Sequence, residues 1–296
     1  MPIYSAMFVQ DKFAFKDLIF RVGVRVERFD NNLPVLKDPF SLYPIRSAGE
    51  VKEVGGSDVT HPGSIGSDYA VYVDNIKNPS RILGYRNGIE WFNKDGIKVA
   101  DPSVIANASR TGKIQPYLVD SENEVVTTAS FTDYKPVINV LPRIWFDFPI
   151  NQASRFFASY DVIAQRPSNI FTTVDDYFYL RFNPTSIVNN PNLKPQTTTD
   201  YELGFKQRLT DNTSAYQAAL SIVASYREQR NLIQLFRYNY AYPIDYTSYG
   251  NIDFSTIKSF RLEYEMRGLG NLNMDANYTL MFADGTGSST GSQAAL

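Results

Sequence analysis

The sequence contains no cysteine and a single histidine, His61. Without cysteine there is no disulfide framework and no thiolate chemistry. A lone histidine in the loop sequence Thr60-His61-Pro62-Gly63 argues against a transition-metal site, and we expect it to be solvated. The sequence also has no large excess of one charge, since it contains 29 basic and 31 acidic residues. The net charge of −2 gives no electrostatic basis for a nucleic-acid partner.

Long apolar runs are absent as well. No segment approaches 18 consecutive apolar residues, which excludes a transmembrane helix. The start, MPIYSAMFVQDKF, has neither a basic nor an apolar region of the kind a signal peptide needs. The chain is therefore either a cytosolic all-β protein or a segment that begins inside a longer chain.

Sequence signatures of catalysis are missing too. There is no Gly-rich phosphate loop, nucleophile elbow or HExxH motif. Asp120, Glu122 and Glu124 alternate as calcium ligands do, but the turn glycine of a calcium loop is absent, so a solvated acidic run is favoured. We predict no catalytic residue, no metal site and no cofactor, and hence no enzyme.

Aromatic residues are what the chain has in excess, with 20 Phe, 20 Tyr and 2 Trp, or 14%. Many of them belong to stretches in which apolar and polar residues alternate, a pattern that indicates β-strands with two unlike faces. The clearest stretches lie at 216–226, 260–266 and 272–282. We predict eight strands, at about 4–15, 18–29, 136–149, 154–166, 197–209, 214–235, 251–267 and 271–283.

The connections alternate in length. Short links at 16–17, 150–154, 210–213 and 268–271 separate long excursions at 30–134, 167–196 and 236–250, and the Gly/Ser-rich stretch 283–296 starts another. In an antiparallel meander this rhythm puts every tight turn at one end and every long loop at the other. Outer-membrane barrels are built this way, with short periplasmic turns and long extracellular loops.

The two phases of the alternation predict which residues face lipid and which face a barrel lumen. We expect six apolar residues to point outward: Leu220, Ile222, Phe260, Leu262, Tyr278 and Leu280. Five polar ones should point inward: Ser221, Arg261, Glu263, Asn277 and Thr279. A soluble β-sandwich also alternates, but its strands are typically about 5–6 residues long. Several strands here alternate for about 11 residues, enough to cross a bilayer at a tilt.

Three stretches resemble one protein family. Residues 189–207, NNPNLKPQTTTDYELGFKQ, are similar to a segment found late in the barrels of TonB-dependent receptors. Residues 7–30, MFVQDKFAFKDLIFRVGVRVERFD, resemble that family's Gln-Asp hairpin with its lumen-facing arginine, and 141–149, LPRIWFDFP, its Pro-Arg strand. The three occur in the family's order.

The resemblance implies a barrel of about 22 strands, with an N-terminal plug folded inside it. Residues 1–296 would form a partial outer-membrane β-barrel domain, with 30–134 as a long extracellular loop excursion. Such receptors lie in the outer membrane of Gram-negative bacteria and take up a siderophore, cobalamin, a glycan or a peptide, driven by TonB. The partners implied are outer-membrane lipid, the rest of the receptor including the plug, TonB and a small-molecule or oligomeric nutrient. We find no plug, TonB-contacting segment or terminal aromatic strand in the sequence, and do not expect the chain to transport by itself.

The proline-rich motif also has a direct physical interpretation. Pro191 and Pro195 remove amide donors, so 189–196 cannot be an interior strand. Gly204 falls in the lumen-facing phase, where a missing side chain leaves room for a plug or a neighbouring aromatic ring.

Aromatic residues in the predicted loops are candidates for ligand binding. The excursion at 236–250 holds five tyrosines, and Trp91 lies in a polar loop. We predict that six residues contribute to substrate capture: Trp91, Tyr238, Tyr240, Tyr242, Tyr246 and Tyr249. Exposed aromatics give a large contact area at low entropy cost. An aromatic girdle at the membrane interface, or packing of the loops against one another, would use the same residues.

Two other functions stay open on the sequence alone. Eight strands can close into a self-contained small barrel that acts as an anchor or adhesin, although small interiors are filled by side chains rather than by charge. A soluble all-β enzyme or carbohydrate-binding module is the other alternative. Extraction distinguishes it, because an outer-membrane barrel needs detergent and a soluble module does not.

Overall fold

The computed structural model describes residues 1–16, 18–168, 174–180, 182, 187–211 and 213–286. The strands within these ranges are, in chain order, β1 Ile3–Phe15, β2 Leu18–Asp30, β3 Pro34–Leu36, β4 Glu53–Val54, β5 Ser57–Asp58, β6 Ala70–Val73, β7 Ile82–Asn87, β8 Glu90–Asn93, β9 Lys98–Val99, β10 Phe131–Asp133, β11 Val137–Pro149, β12 Ser154–Gln165, β13 Ile187–Val188, β14 Gln196–Arg208, β15 Gln217–Tyr238, β16 Tyr246–Leu269 and β17 Leu272–Gly285. The helices are α1 Ser103–Ala108 and α2 Asp176–Tyr179, with a 3-10 turn at Thr128–Ser130. In these ranges no helix has the length and apolar character needed to cross a membrane.

The eight long strands form one antiparallel sheet in chain order: β1, β2, β11, β12, β14, β15, β16 and β17. Sequence neighbours therefore pair, as predicted, and the 30–134 excursion returns the chain to the edge it left. Within the described residues β1 and β17 do not pair with each other, so the sheet is open. The alternative of a self-contained eight-stranded barrel is not what this structure forms.

The register gives the sheet one apolar and one polar face. Residues directly opposite each other on neighbouring strands share a face. The apolar rows include Ile222–Leu262–Tyr278, Phe260–Leu280 and Leu220–Tyr264; the polar rows include Ser221–Glu263–Asn277 and Arg261–Thr279. Each of the two predicted sets thus lies on a single face.

Two ion pairs on the polar face join neighbouring strands. Arg143 donates to both oxygens of Asp161, at 3.0 and 2.7 Å, and Arg227 does the same to Asp200, at 2.6 and 3.1 Å. Such partly exposed pairs contribute only about 0–1 kcal/mol each. Asp161 and Asp200 are each held by an arginine. This arrangement argues against a catalytic acid–base pair formed by these two carboxylates.

Gly204 leaves the space that the sequence predicts, and an aromatic ring fills it. Phe157 lies opposite Gly204 in the pairing of β12 with β14. A Cβ placed on Gly204 would overlap the far edge of the Phe157 ring. The ring thus covers the glycine across the strand pair.

Gly204→Ala should therefore lower the free energy of unfolding by about 1–3 kcal/mol, because the ring has to leave its site. The measurement is urea unfolding of the chain in detergent micelles. In a Phe157→Ala background the same change should cost much less. An equal cost in both backgrounds would show that the ring is not what restricts position 204.

The β15–β16 hairpin is longer than the sequence predicts. We expected strands at 214–235 and 251–267, whereas β15 ends at Tyr238 and β16 begins at Tyr246. The predicted excursion at 236–250 is thus mostly strand. The pairing passes an irregularity near Asn231, where the register shifts on both strands and Asn231 adopts a positive φ of 58°. Pairing then continues from Ile233–Asn251 to Tyr238–Tyr246, through a tyrosine-rich sequence whose composition suits an exposed loop as well as a strand.

The excursion between β2 and β11 folds into a unit of its own, here called the loop unit (residues 31–136). Its centre is a four-stranded sheet in the order β6, β7, β8, β9. Two of its strands, β6 and β8, cover Ala70–Val73 and Glu90–Asn93. Val71, Tyr72 and Val73 are fully buried, so the loop unit has a true hydrophobic core rather than isolated contacts.

His61 is partly buried and hydrogen-bonded through both ring nitrogens, whereas we expected a freely solvated side chain. Its Nε2 lies 2.8 Å from the carbonyl oxygen of Val51, and its Nδ1 lies 3.0 Å from the Tyr85 hydroxyl. Because a carbonyl oxygen only accepts, Nε2 carries the proton and Nδ1 accepts from Tyr85 in the neutral ring. The histidine therefore connects two segments of the loop unit.

Candidate functional site

The β15–β16 connection packs against the loop unit through aromatic rings. Phe40 is at the centre, with its ring centroid 5.6 Å from Trp91 and 5.3 Å from Tyr238. Tyr238 stacks on Tyr246 at 4.9 Å, and Trp91 contacts Tyr240 at 6.5 Å. Edge-on and stacked pairs of this kind stabilise by about 0.5–1.5 kcal/mol each beyond the area they bury. The loop unit is thus anchored on the hairpin.

Backbone hydrogen bonds reinforce this contact. The Leu42 amide donates to the Tyr242 carbonyl oxygen, and the Tyr242 amide donates to the Phe40 carbonyl oxygen, each at 3.0 Å. The Tyr246 hydroxyl donates to the Pro39 carbonyl oxygen at 2.6 Å. Residues 39–42 and the hairpin connection are consequently held together by main-chain as well as side-chain contacts.

A buried arginine lies beneath the rings. Arg86 is 4% exposed and pairs with Asp38. Its guanidinium also donates to the Tyr72 hydroxyl at 2.7 Å and lies 4.7 Å from the Phe40 ring centroid. Burial raises the pKa of Tyr72, so this phenol stays neutral. Sequence reasoning missed both Arg86 and Phe40, since neither belongs to a motif.

The six predicted binding residues have unequal access to solvent. Trp91 and Tyr246 are 5% and 3% exposed, whereas Tyr238, Tyr240 and Tyr242 are half-buried. Tyr249 lies apart from the Phe40 rings, opposite Leu235 on β15. Any direct contact with a ligand therefore falls to the half-buried tyrosines, and Trp91 and Tyr246 support them from behind.

Tyr240 and Tyr242 line a cleft of about 640 Å³ between the loop unit and the hairpin connection. We call it the tyrosine cleft. Its walls comprise residues 106, 112–115, 237, 240–245 and 247. The Tyr242 hydroxyl donates to Glu124 Oε1 at 2.7 Å, and the Tyr240 hydroxyl to Asp101 Oδ1 at 3.3 Å. Hydrogen bonds from Ser103 lower the pKa of Asp101, which keeps it an anionic acceptor. Both rings are thereby fixed at the cleft wall.

The tyrosine cleft suits non-covalent binding of a small organic molecule. Besides the two rings it presents Lys113 and Arg237, whose Nε donates to Asn239 Oδ1 at 3.0 Å. Pockets that combine apolar walls with a few polar groups are the usual form of ligand sites. Over the part of the chain that the structure describes, no group of three or more His, Asp or Glu side chains could hold a metal ion.

Comparison with solved structures finds two metal transporters and a hemophore receptor. The FrpB iron transporter from Neisseria meningitidis (F3-3 variant) aligns with a TM-score of 0.44 at 10% identity, covering 95% of this chain and 26% of that one. A double mutant of the Serratia marcescens hemophore receptor HasR, in complex with its hemophore HasA and heme, gives 0.50 at 12%, covering 95% and 34%. The copper transporter OprC gives 0.40 at 13%, covering 95% and 29%. The chain thus spans about a quarter to a third of the length of these structures. At 12% identity, the similarity to HasR indicates a shared fold and nothing more.

The comparison with curated proteins gives no match. Residues 3–295 match the family model described as "TonB dependent receptor-like, beta-barrel". That match covers nearly the whole chain and agrees with the order, register and two-faced character of its long strands. The chain therefore belongs to the TonB-dependent receptor family and forms part of its β-barrel.

Proposed function

We propose that this chain is part of an outer-membrane receptor of a Gram-negative bacterium that actively takes up a scarce nutrient. The apolar face of the sheet would contact lipid, and the polar face would line the lumen. The plug and the segment that contacts TonB would come from the rest of the receptor. The nutrient would be a siderophore, cobalamin, a glycan or a peptide.

The observation that carries this proposal is the tyrosine cleft at the long-loop end of the sheet. All the tight links join strands at the opposite end, so the loop unit and the β15–β16 connection share the extracellular end in the proposed orientation. A cleft there meets an incoming ligand before the lumen does. Ring faces held by hydrogen-bonded hydroxyls offer a large contact area with little entropy to lose.

Replacing both Tyr240 and Tyr242 with alanine should weaken nutrient binding by roughly tenfold, which corresponds to about 1.4 kcal/mol. The loss of two stacking contacts, at about 0.5–1.5 kcal/mol each, accounts for this change. The measurement is ligand binding to outer membranes that contain the intact receptor, with receptor abundance determined in parallel.

Tyr249→Ala is the matched control, because Tyr249 is on the same hairpin but outside the cleft walls. The double variant Tyr240→Phe/Tyr242→Phe keeps the rings and should keep most of the affinity. Unchanged affinity of the double alanine variant at normal abundance would reassign both rings to packing of the loops.

A further inference from the structure

Two cationic side chains line the tyrosine cleft, one from each part of the fold that forms it. Lys113 belongs to the wall that the loop unit supplies, and Arg237 lies on β15 in the wall that the hairpin supplies. Asp245 is the one acidic side chain among the lining residues. The walls therefore present two positive charges and one negative charge beside the two tyrosine rings.

Neither cation is neutralised within the described part of the chain. There the Lys113 ammonium forms no hydrogen bond and no ion pair. Arg237 donates through Nε to Asn239 Oδ1, a neutral acceptor, at 3.0 Å, which leaves its two Nη groups for a ligand. The arginines of the sheet's polar face differ, because Arg143 and Arg227 each hold a carboxylate with two hydrogen bonds. The unused donors of the cleft are thus charged ones.

The carboxylates in and behind the walls already accept hydrogen bonds from the protein. Asp245 Oδ1 accepts from the Tyr240 amide at 2.9 Å. Asp101 accepts from the Tyr240 hydroxyl at 3.3 Å. Glu124 accepts from the Tyr242 hydroxyl at 2.7 Å. Since much of the acceptor capacity is used and the cationic donors are not, a ligand for this cleft should bring a negatively charged acceptor.

We propose that the tyrosine cleft binds an aromatic carboxylate. Its carboxylate is held by Lys113 and Arg237, and its ring stacks on Tyr240 and Tyr242. A guanidinium can hold a carboxylate with two parallel hydrogen bonds, and an ammonium adds a compact charge. Hydrogen bonds between charged partners are roughly twice as strong as those between neutral ones. The cleft volume of about 640 Å³ is usual for a small-molecule site.

This inference rests on the proposed uptake function and narrows its nutrient class. Of the candidate nutrients, an organic anion with a flat apolar part fits the cleft, whereas a neutral glycan would leave both cations without a charged partner.

Three probes with the same ring and different end groups test the charge preference: 2-naphthoate, 2-naphthamide and 2-naphthylmethylammonium. Their binding to outer membranes that contain the intact receptor is measured by equilibrium dialysis at pH 7, with membranes that lack the receptor as the blank. The naphthoate should bind about tenfold more tightly than the amide, from its charge-assisted hydrogen bonds, and the ammonium probe should bind most weakly. Equal binding of naphthoate and amide, preference for the ammonium probe, or no binding of any probe would overturn the proposal.

Substitutions of the two cations locate the site. Lys113→Gln and Arg237→Gln should each weaken naphthoate binding several-fold and leave naphthamide binding nearly unchanged. Arg237→Lys keeps the charge and should keep part of the affinity. Lys98→Gln is the matched control, because Lys98 is an exposed cation of the loop unit that pairs with Glu90 outside the cleft. Equal losses for Lys98→Gln and Lys113→Gln would reduce the binding to general surface charge and overturn the proposal.

Failure of this inference can be told apart from failure of the uptake proposal. If Tyr240→Ala/Tyr242→Ala weakens nutrient binding but the receptor does not prefer the naphthoate, the charge preference is wrong and the capture role of the rings stands. If the double alanine variant binds the nutrient normally, the capture role fails, and the assignment of an aromatic carboxylate as its ligand fails with it.

Discussion

Replacing Trp91 with alanine should destabilise the loop unit by about 3–5 kcal/mol, the usual cost of truncating a large buried aromatic residue. Trp91 is 5% exposed and contacts the rings of Phe40, Tyr72 and Tyr240. Its loss would leave a cavity directly over the Arg86 guanidinium, which lies 5.6 Å from the Trp91 ring centroid. Hydrogen exchange of the β6–β8 amides would report the change as faster local opening.

Ile89→Ala is the matched control for this experiment. Ile89 is two residues away at the turn of the same hairpin and is 73% exposed, so its truncation should leave exchange unaltered. If Trp91→Ala instead preserved slow exchange and only weakened nutrient binding, the indole would have to contact the ligand directly. That outcome would favour the interpretation drawn from the sequence over the packing role.

Leu220→Arg should impair assembly in the outer membrane by about 2–4 kcal/mol, the cost of a cationic side chain at the lipid face near the bilayer midplane. Leu220 lies opposite Tyr264 on the apolar face of the sheet, which we propose to contact lipid. The neighbouring change Ser221→Arg points to the opposite face, beside Glu263, and should be tolerated better. The fraction of folded receptor in outer membranes is the measurement.

A second inward control is useful because Ser221 is itself only 9% exposed and an arginine there has to find room. Asn277→Arg places the new charge opposite Glu263, at an exposed position of β17. Equal losses for Leu220→Arg and Asn277→Arg would contradict the assignment of the two faces.

The long strands could be predicted from sequence because their signal is local. Alternation within β14 and β17, for example, defines each strand and its faces without reference to any other part of the chain. The extension of β15 and β16 was not predicted, because Pro243 marks a turn and the tyrosines on either side of it suit an exposed loop as well as a strand. Tyr246 was thus assigned to a loop although it begins a strand.

The candidate site could be predicted only in part, because the burial of its residues depends on contacts between distant parts of the sequence. The tyrosine-rich composition of residues 238–249 identifies the segment correctly, since most of these tyrosines contact the loop unit. Their unequal burial depends on Phe40 and Arg86, which reach the same place from distant parts of the sequence. A tryptophan in a short polar segment, such as Trp91, is expected to be exposed unless its tertiary neighbours are known.

The hydrogen bond from Tyr246 to Pro39 has a consequence for the order in which the chain folds. It joins residues separated by 207 positions in sequence, whereas the core of the loop unit is made mostly of residues close in sequence. Contacts between nearby residues form early, and closing a long loop carries an entropic cost that grows with its length. The loop unit can therefore gain its internal structure while the later strands are still unpaired. Its attachment to the sheet has to wait until β15 and β16 are paired, so the tyrosine cleft is among the last features of the chain to form.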